Sequence, residues 1–141
     1  MKTVFCSSIA GVALVGITTC VFAQPPRPPG PPGPPVACST PGICRIAINV
    51  NRCGEIGGIS VTPPVMSIAA PTIIEWKITT PGYVFAPNGI SFSPPSPQFH
   101  LLPGTPPNVV RMRNDHTSMG NFYYYVDVLH CVPVDPWVIN R

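Results

Sequence analysis

Asp115-His116, with Ser118 two positions on, brings the three residue types of a hydrolytic triad into one short stretch. Triad chemistry needs a base that reaches the nucleophile and an acid that orients the base. Immediate neighbours in a loop turn away from one another, and Asn114 to Gly120, NDHTSMG, has loop composition. Turn formation accounts for these residues more simply. No Gly-x-Ser-x-Gly elbow and no glycine-rich phosphate loop occurs. The acids are Glu55, Glu75, Asp115, Asp127 and Asp135. A glycosidase needs two of them across one bond, and their spacing singles out no pair. No catalytic residue is assigned.

The histidines are His100, His116 and His130, with Met112 and Met119 as further soft donors. A blue-copper site needs a late cysteine followed within a few residues by His and Met. The late cysteine here is Cys131, and VPVDPWVINR after it contains neither. Cysteine and histidine spacing gives no zinc motif. A different copper or zinc site is the alternative reading, and it requires at least two histidines to converge. The expectation is a chain with no metal and no cofactor.

Of six cysteines, Cys6 and Cys20 fall in the N-terminal segment. That segment starts with Met1-Lys2, runs apolar from Ile9 to Ile17, and ends on Val21-Phe22-Ala23. This is the build of a secretory signal peptide, cut after Ala23. The competing reading takes Ile17-Thr18-Thr19-Cys20 as a lipobox and tethers the protein by lipid on Cys20. Export to the periplasm or beyond leaves Cys38, Cys44, Cys53 and Cys131 in an oxidising compartment, where an even number reads as disulfides. Four cysteines allow three pairings. The favoured one is a local loop, Cys38–Cys44, and a long staple, Cys53–Cys131.

Formal net charge is +3 with only 9% of residues charged. Scattered over the chain, this gives no basic patch for nucleic acid. No run after the leader is long and apolar enough for a membrane span.

The elements that must hold these residues are strands. Residues 24–37 open with QPPRPPGPPGPP, which favours an extended polyproline rod and reads as a semi-rigid spacer. The folded domain is placed at 38–141. Cys44, Ile46, Ile48 and Val50 alternate with Arg45, Ala47 and Asn49, as a half-buried strand does. Short strands follow at Ile59–Thr62 and Val65–Ala69, the second an edge candidate because of Pro63-Pro64. Ile73 to Phe92 reads as three strands around Trp76, divided by turns at Pro81-Gly82 and Asn88-Gly89. Residues 93–108 carry six prolines and read as a long loop. Val109–Arg113 and Asn121–His130 are strands, and a Pro-broken extended piece ends the chain. A hairpin of those two strands would set Arg111 or Arg113 over Tyr123 or Tyr125. Phe99, Arg111, Arg113, Tyr123 and Tyr125 are therefore the candidate contact surface.

Strands every eight to twelve residues or so, with no helical periodicity, predict an all-β Greek-key sandwich. The pattern Ile-x-Trp-x-Ile at Ile74–Ile78, Gly-Tyr-x-Phe at Gly82–Phe85, Asn-Gly-Ile-x-Phe at Asn88–Phe92, the late run Tyr123-Tyr124-Tyr125-Val126-Asp127-Val128, and Cys131 with Asp135-Pro136 and Asn140 resembles small exported bacterial proteins to which no activity is assigned. The resemblance implies an immunoglobulin- or cupredoxin-like sandwich in the cell envelope and carries no functional residue across. The expected function is non-enzymatic: a binding or structural module for an unknown protein or envelope component. A small secreted hydrolase is the remote alternative.

Overall fold

The computed structural model describes residues 33–38 and 42–141. The signal segment, Cys6, Cys20 and most of the proline-rich run lie outside these residues. The described chain forms ten strands and no helix: β1 Val36–Ala37, β2 Ile43–Val50, β3 Ile59–Thr62, β4 Val65–Ile68, β5 Thr72–Ile78, β6 Phe85–Ser93, β7 Phe99–Leu102, β8 Val109–Asn114, β9 Gly120–Val128 and β10 Trp137–Asn140. They make two five-stranded sheets, ordered β1-β4-β10-β9-β6 and β3-β2-β5-β8-β7. The expected all-β sandwich is the fold. We call these the β9 sheet and the β5 sheet.

Alternating side chains explain why the sheets meet. Ile46 and Ile48 of β2 and Ile74, Trp76 and Ile78 of β5 turn inward and are buried. From the other sheet, Ile68, Tyr124, Val126, Val128 and Val138 meet them. Trp76 packs edge-on against Tyr124, with centroids 5.4 Å apart, and lies 6.4 Å from Phe92. Such crossed rings add to the stabilisation from area alone.

Both sheets are mixed. β2 runs parallel to β5, and β4 runs parallel to β10 and to β1. Parallel neighbours need crossovers, so the chain changes sheet repeatedly instead of closing each pair by a hairpin. Two expectations are corrected here. β4 is not an edge: β1 and β10 flank it, and all four of its residues are buried. Pro63-Pro64 stands before the strand, so Val65–Ile68 keeps its ladder donors. Nor does Asn88-Gly89 divide two strands. It lies inside β6, where Phe85 faces Val128 but Ile90 faces Val126, so five residues span what two span on β9. The surplus is taken up as a bulge, the usual way an extra residue enters a ladder. The sheet also begins earlier than Cys38, since Val36 and Ala37 pair with Met66 and Ser67.

The cysteines pair as Cys38–Cys44 and Cys53–Cys131. Two disulfides fit an oxidising environment. No helix among the described residues is long and apolar enough to cross a membrane.

Candidate functional site

The predicted contact residues fall on three different surfaces. β8 pairs with β5 and β7, whereas β9 pairs with β6 and β10. The expected hairpin is therefore absent, and Arg111 and Arg113 stand on the opposite face of the sandwich from Tyr123 and Tyr125. The reason lies in the connection. Residues 115–119 carry the chain across the end of the sandwich and are pinned there. Asp115 N–H donates to Gln98 O at 2.9 Å. Ser118 N–H donates to Gln98 Oε1 at 3.2 Å, and Gln98 Nε2 donates to Ser118 Oγ at 3.0 Å.

This crossing is built on three buried amides that the sequence did not announce. Gln98, Asn114 and Asn140 are each at most 2% exposed. Asn114 Nδ2 donates to Asn140 Oδ1 at 2.9 Å, linking β8 to β10 across the two sheets. Asn140 Nδ2 donates to Gln98 Oε1 and to the Ser118 carbonyl, both at 3.1 Å. The one available signal was parity, because Asn114 continues the inward series Val110, Met112 and Asn140 that of Val138. His116 N–H donates to Asn114 Oδ1, and its Nε2 meets the Ile68 carbonyl at 3.1 Å, so Nε2 carries the proton. Asp115, His116 and Ser118 thus face three different partners and form no relay. Each supports the loop.

Phe99 is packed, not presented. Its ring stacks on Phe92 at 3.7 Å and meets Phe122 edge-on at 5.3 Å. β7 is an edge strand inside the proline-rich stretch, as six prolines allow. Between β6 and residues 101–112 lies a cleft of about 280 Å³ with no charged lining residue. A second cleft, about 470 Å³, is framed by Lys77 to Val84 with Pro107 and Asn108.

The outer face of the β5 sheet is cationic. Strand pairing sets Arg45, Glu75 and Arg111 in one row across β2, β5 and β8. Arg111 Nε donates to Glu75 Oε2 at 2.7 Å and its Nη2 lies 2.6 Å from the same atom, while Arg45 Nε is 3.5 Å from Oε1. Arg113 Nε bonds Asp115 Oδ1 at 2.6 Å, and His100 Nε2 meets Oδ2 at 2.8 Å. The hydrogen bond from Arg113 holds the Asp115 carboxyl below its ordinary pKa; desolvation opposes this, and the charges of Arg113 and His100 assist it. The acids sit low. The Glu75 side chain is 9% exposed, against 74% for Arg45 and 44% for Arg111. Solvent meets mainly guanidinium groups and exposed Lys77.

The outer face of the β9 sheet is aromatic. Tyr123, Tyr125 and Asp127 share it by strand alternation, and Trp137 stands opposite Tyr123. Tyr123 lies 6.2 Å from Tyr125 and 5.5 Å from Trp137, centroid to centroid, with rings crossed at 86° and 54°. Ser93 Oγ–H donates to Tyr123 Oη at 3.0 Å. Asp135 falls level with Tyr125, because Val134 bridges Val126 in the register of Trp137 and Tyr123. The result is a row of three crossed rings with two carboxylates beside it. Sequence reading found the tyrosines and missed Trp137, whose place depends on the β9–β10 pairing.

Among the described residues, no three His, Cys, Asp or Glu side chains gather as metal ligands would. Compared with known proteins, the chain matches no family model and no curated sequence.

Proposed function

We propose that this is a non-enzymatic exported protein that acts as a binding or structural module of the cell envelope, and that it works through the outer face of the β9 sheet. The observation that carries this reading is the row Trp137, Tyr123, Tyr125, which lies outside the space between the sheets with Tyr123 and Trp137 half-buried and Tyr125 exposed. Tyr125 is 42% exposed. Large, stiff, amphipathic rings give contact area at small entropic cost, which is why they concentrate where proteins meet partners. The paired cysteines and the signal-like leader support the location, and the resemblance to small exported bacterial proteins agrees with it. Periplasmic release is the favoured placement; a lipid on Cys20 would tether the protein to a membrane instead.

The test is a double substitution, Tyr123→Ala with Tyr125→Ala. Both side chains point away from the core, so the variant should fold, with a modest drop in thermal midpoint for the lost ring contacts and the Ser93 hydrogen bond. Retention of the purified protein on isolated envelope material should fall several-fold. Undiminished retention by a folded variant would sink the reading.

A further inference from the structure

The two outer faces of this sandwich complement one another. The β5-sheet face raises Arg45, Lys77 and Arg111 above one recessed carboxylate, Glu75, and sets Arg113 beside the partly exposed Asp115. The β9-sheet face carries three crossed aromatic rings with Asp127 and Asp135 alongside, and Arg141, one step past the end of β10 and in the register of Trp137 and Ile139, is the cation that the described residues place on that side. A ring face attracts a guanidinium or ammonium, and a neighbouring carboxylate strengthens the site. Within one copy these groups cannot meet, because the core separates them.

We infer that the aromatic, acidic face of one copy receives the cationic face of a second copy. This rests on the reading of the β9-sheet face as a contact surface, and it names the occupant. The two surfaces differ and lie on opposite sides of one domain, so the contact is heterologous and leaves a free face at each end. Such a contact propagates into open assemblies unless its rotation closes a ring. Its strength is limited. The β9-sheet strands hold 2, 4, 9, 9 and 4 residues, which at about 3.3 Å per residue and about 4.8 Å between strands give roughly 450 Å², and less than that is open because Val65 and Ser67, which point to this side, are already buried. A standard stable interface buries about 800 Å² per partner. Association is therefore weak, needs a crowded compartment, and yields to salt, which screens exposed charges beyond about 10 Å at 0.1 M.

Sedimentation of the full chain over a range of concentrations tests this, at ionic strengths of about 0.02 M and about 0.5 M. At low salt the average mass should climb steadily with concentration, and at high salt it should fall to that of the monomer. Two variants disable one face each: Tyr123→Ser with Tyr125→Ser, and Arg45→Gln with Lys77→Glu. Each alone should stay monomeric while still unfolding cooperatively, as the parent does. Mixed, they should form a species of two chains and no larger, because one intact face of each remains. A wild-type chain that stays monomeric at low salt overturns the inference, and so does a mixture that fails to pair. If envelope retention still depends on Tyr123 and Tyr125 in that case, the contact surface stands and only its occupant is wrong.

Discussion

Tyr124 sits at the centre of the core, fully buried against Trp76 and Phe92. Its hydroxyl and the Trp76 indole nitrogen make no hydrogen bond of good geometry. The indole N–H is still near enough to oppose slightly the upward push that burial gives the phenol pKa. A tyrosine held neutral in the fold but free to ionise when unfolded costs stability as pH rises past about 10, where only the unfolded chain loses its proton. Tyr124→Phe should therefore leave the unfolding free energy at pH 7 unchanged or raise it by up to about 1 kcal/mol, since it removes an unpaired buried group. It should also flatten the alkaline loss. A clear drop in neutral stability would mean that the hydroxyl has a partner. Asp115 works at the other end of the pH scale. Its folded pKa lies below the ordinary 3.8, so its contribution is complete above that value and disappears as pH falls through the depressed one. Asp115→Asn should lower the thermal midpoint slightly at neutral pH and converge on the parent as pH falls below 3.8 through the depressed pKa. Midpoints that differ equally at neutral and acid pH would refute the ionic origin.

Strands with one apolar parity could be read directly. Ile46–Ile48–Val50 and Ile74–Trp76–Ile78 needed only the two-residue period, because each lies half-buried in its sheet. β6 could not. Asn88-Gly89 carries the composition of a hairpin turn, but β9 holds both sides of it, and long-range pairing overrides the local signal. Gly89 shows why the glycine is needed there. A Cβ added at that position would come within 2.5 Å of the Phe85 Cβ and 2.7 Å of its ring. Gly89→Ala must displace Phe85, which packs against the core. The expected cost is about 1–3 kcal/mol, the range for overpacking a filled site. Urea denaturation measures it. The amide group of Gln98, Asn114 and Asn140 escaped notice for a related reason: each was assigned to a loop or a strand end, and only the stacking of two sheets makes such positions interior.

The ends of the sandwich are closed by different chemistry. Pairing registers set Asn114 level with Thr72 at the start of β5, so the amide cluster lies at that end. Cys44, near the start of β2, stands level with Ile74 and ties that end to Cys38 beyond β1. Cys53 and Cys131 follow the ends of β2 and β9, at the opposite extremity, and join one sheet to the other. The first end is thus held by a short bridge of sequence separation 6 plus a hydrogen-bonded network, and the second by a bridge of separation 78. Loop-closure entropy gives the long bridge about 4 kcal/mol and the short one about 2 kcal/mol. Replacing Cys53 and Cys131 by serine should therefore lower stability about twice as much as replacing Cys38 and Cys44. The loss should appear first as faster amide exchange near the ends of β2 and β9, while the Asn114–Asn140 end stays protected. The reverse order, with the short bridge mattering more, would show that the sheets are held together chiefly from the amide end and that the long staple follows assembly without directing it.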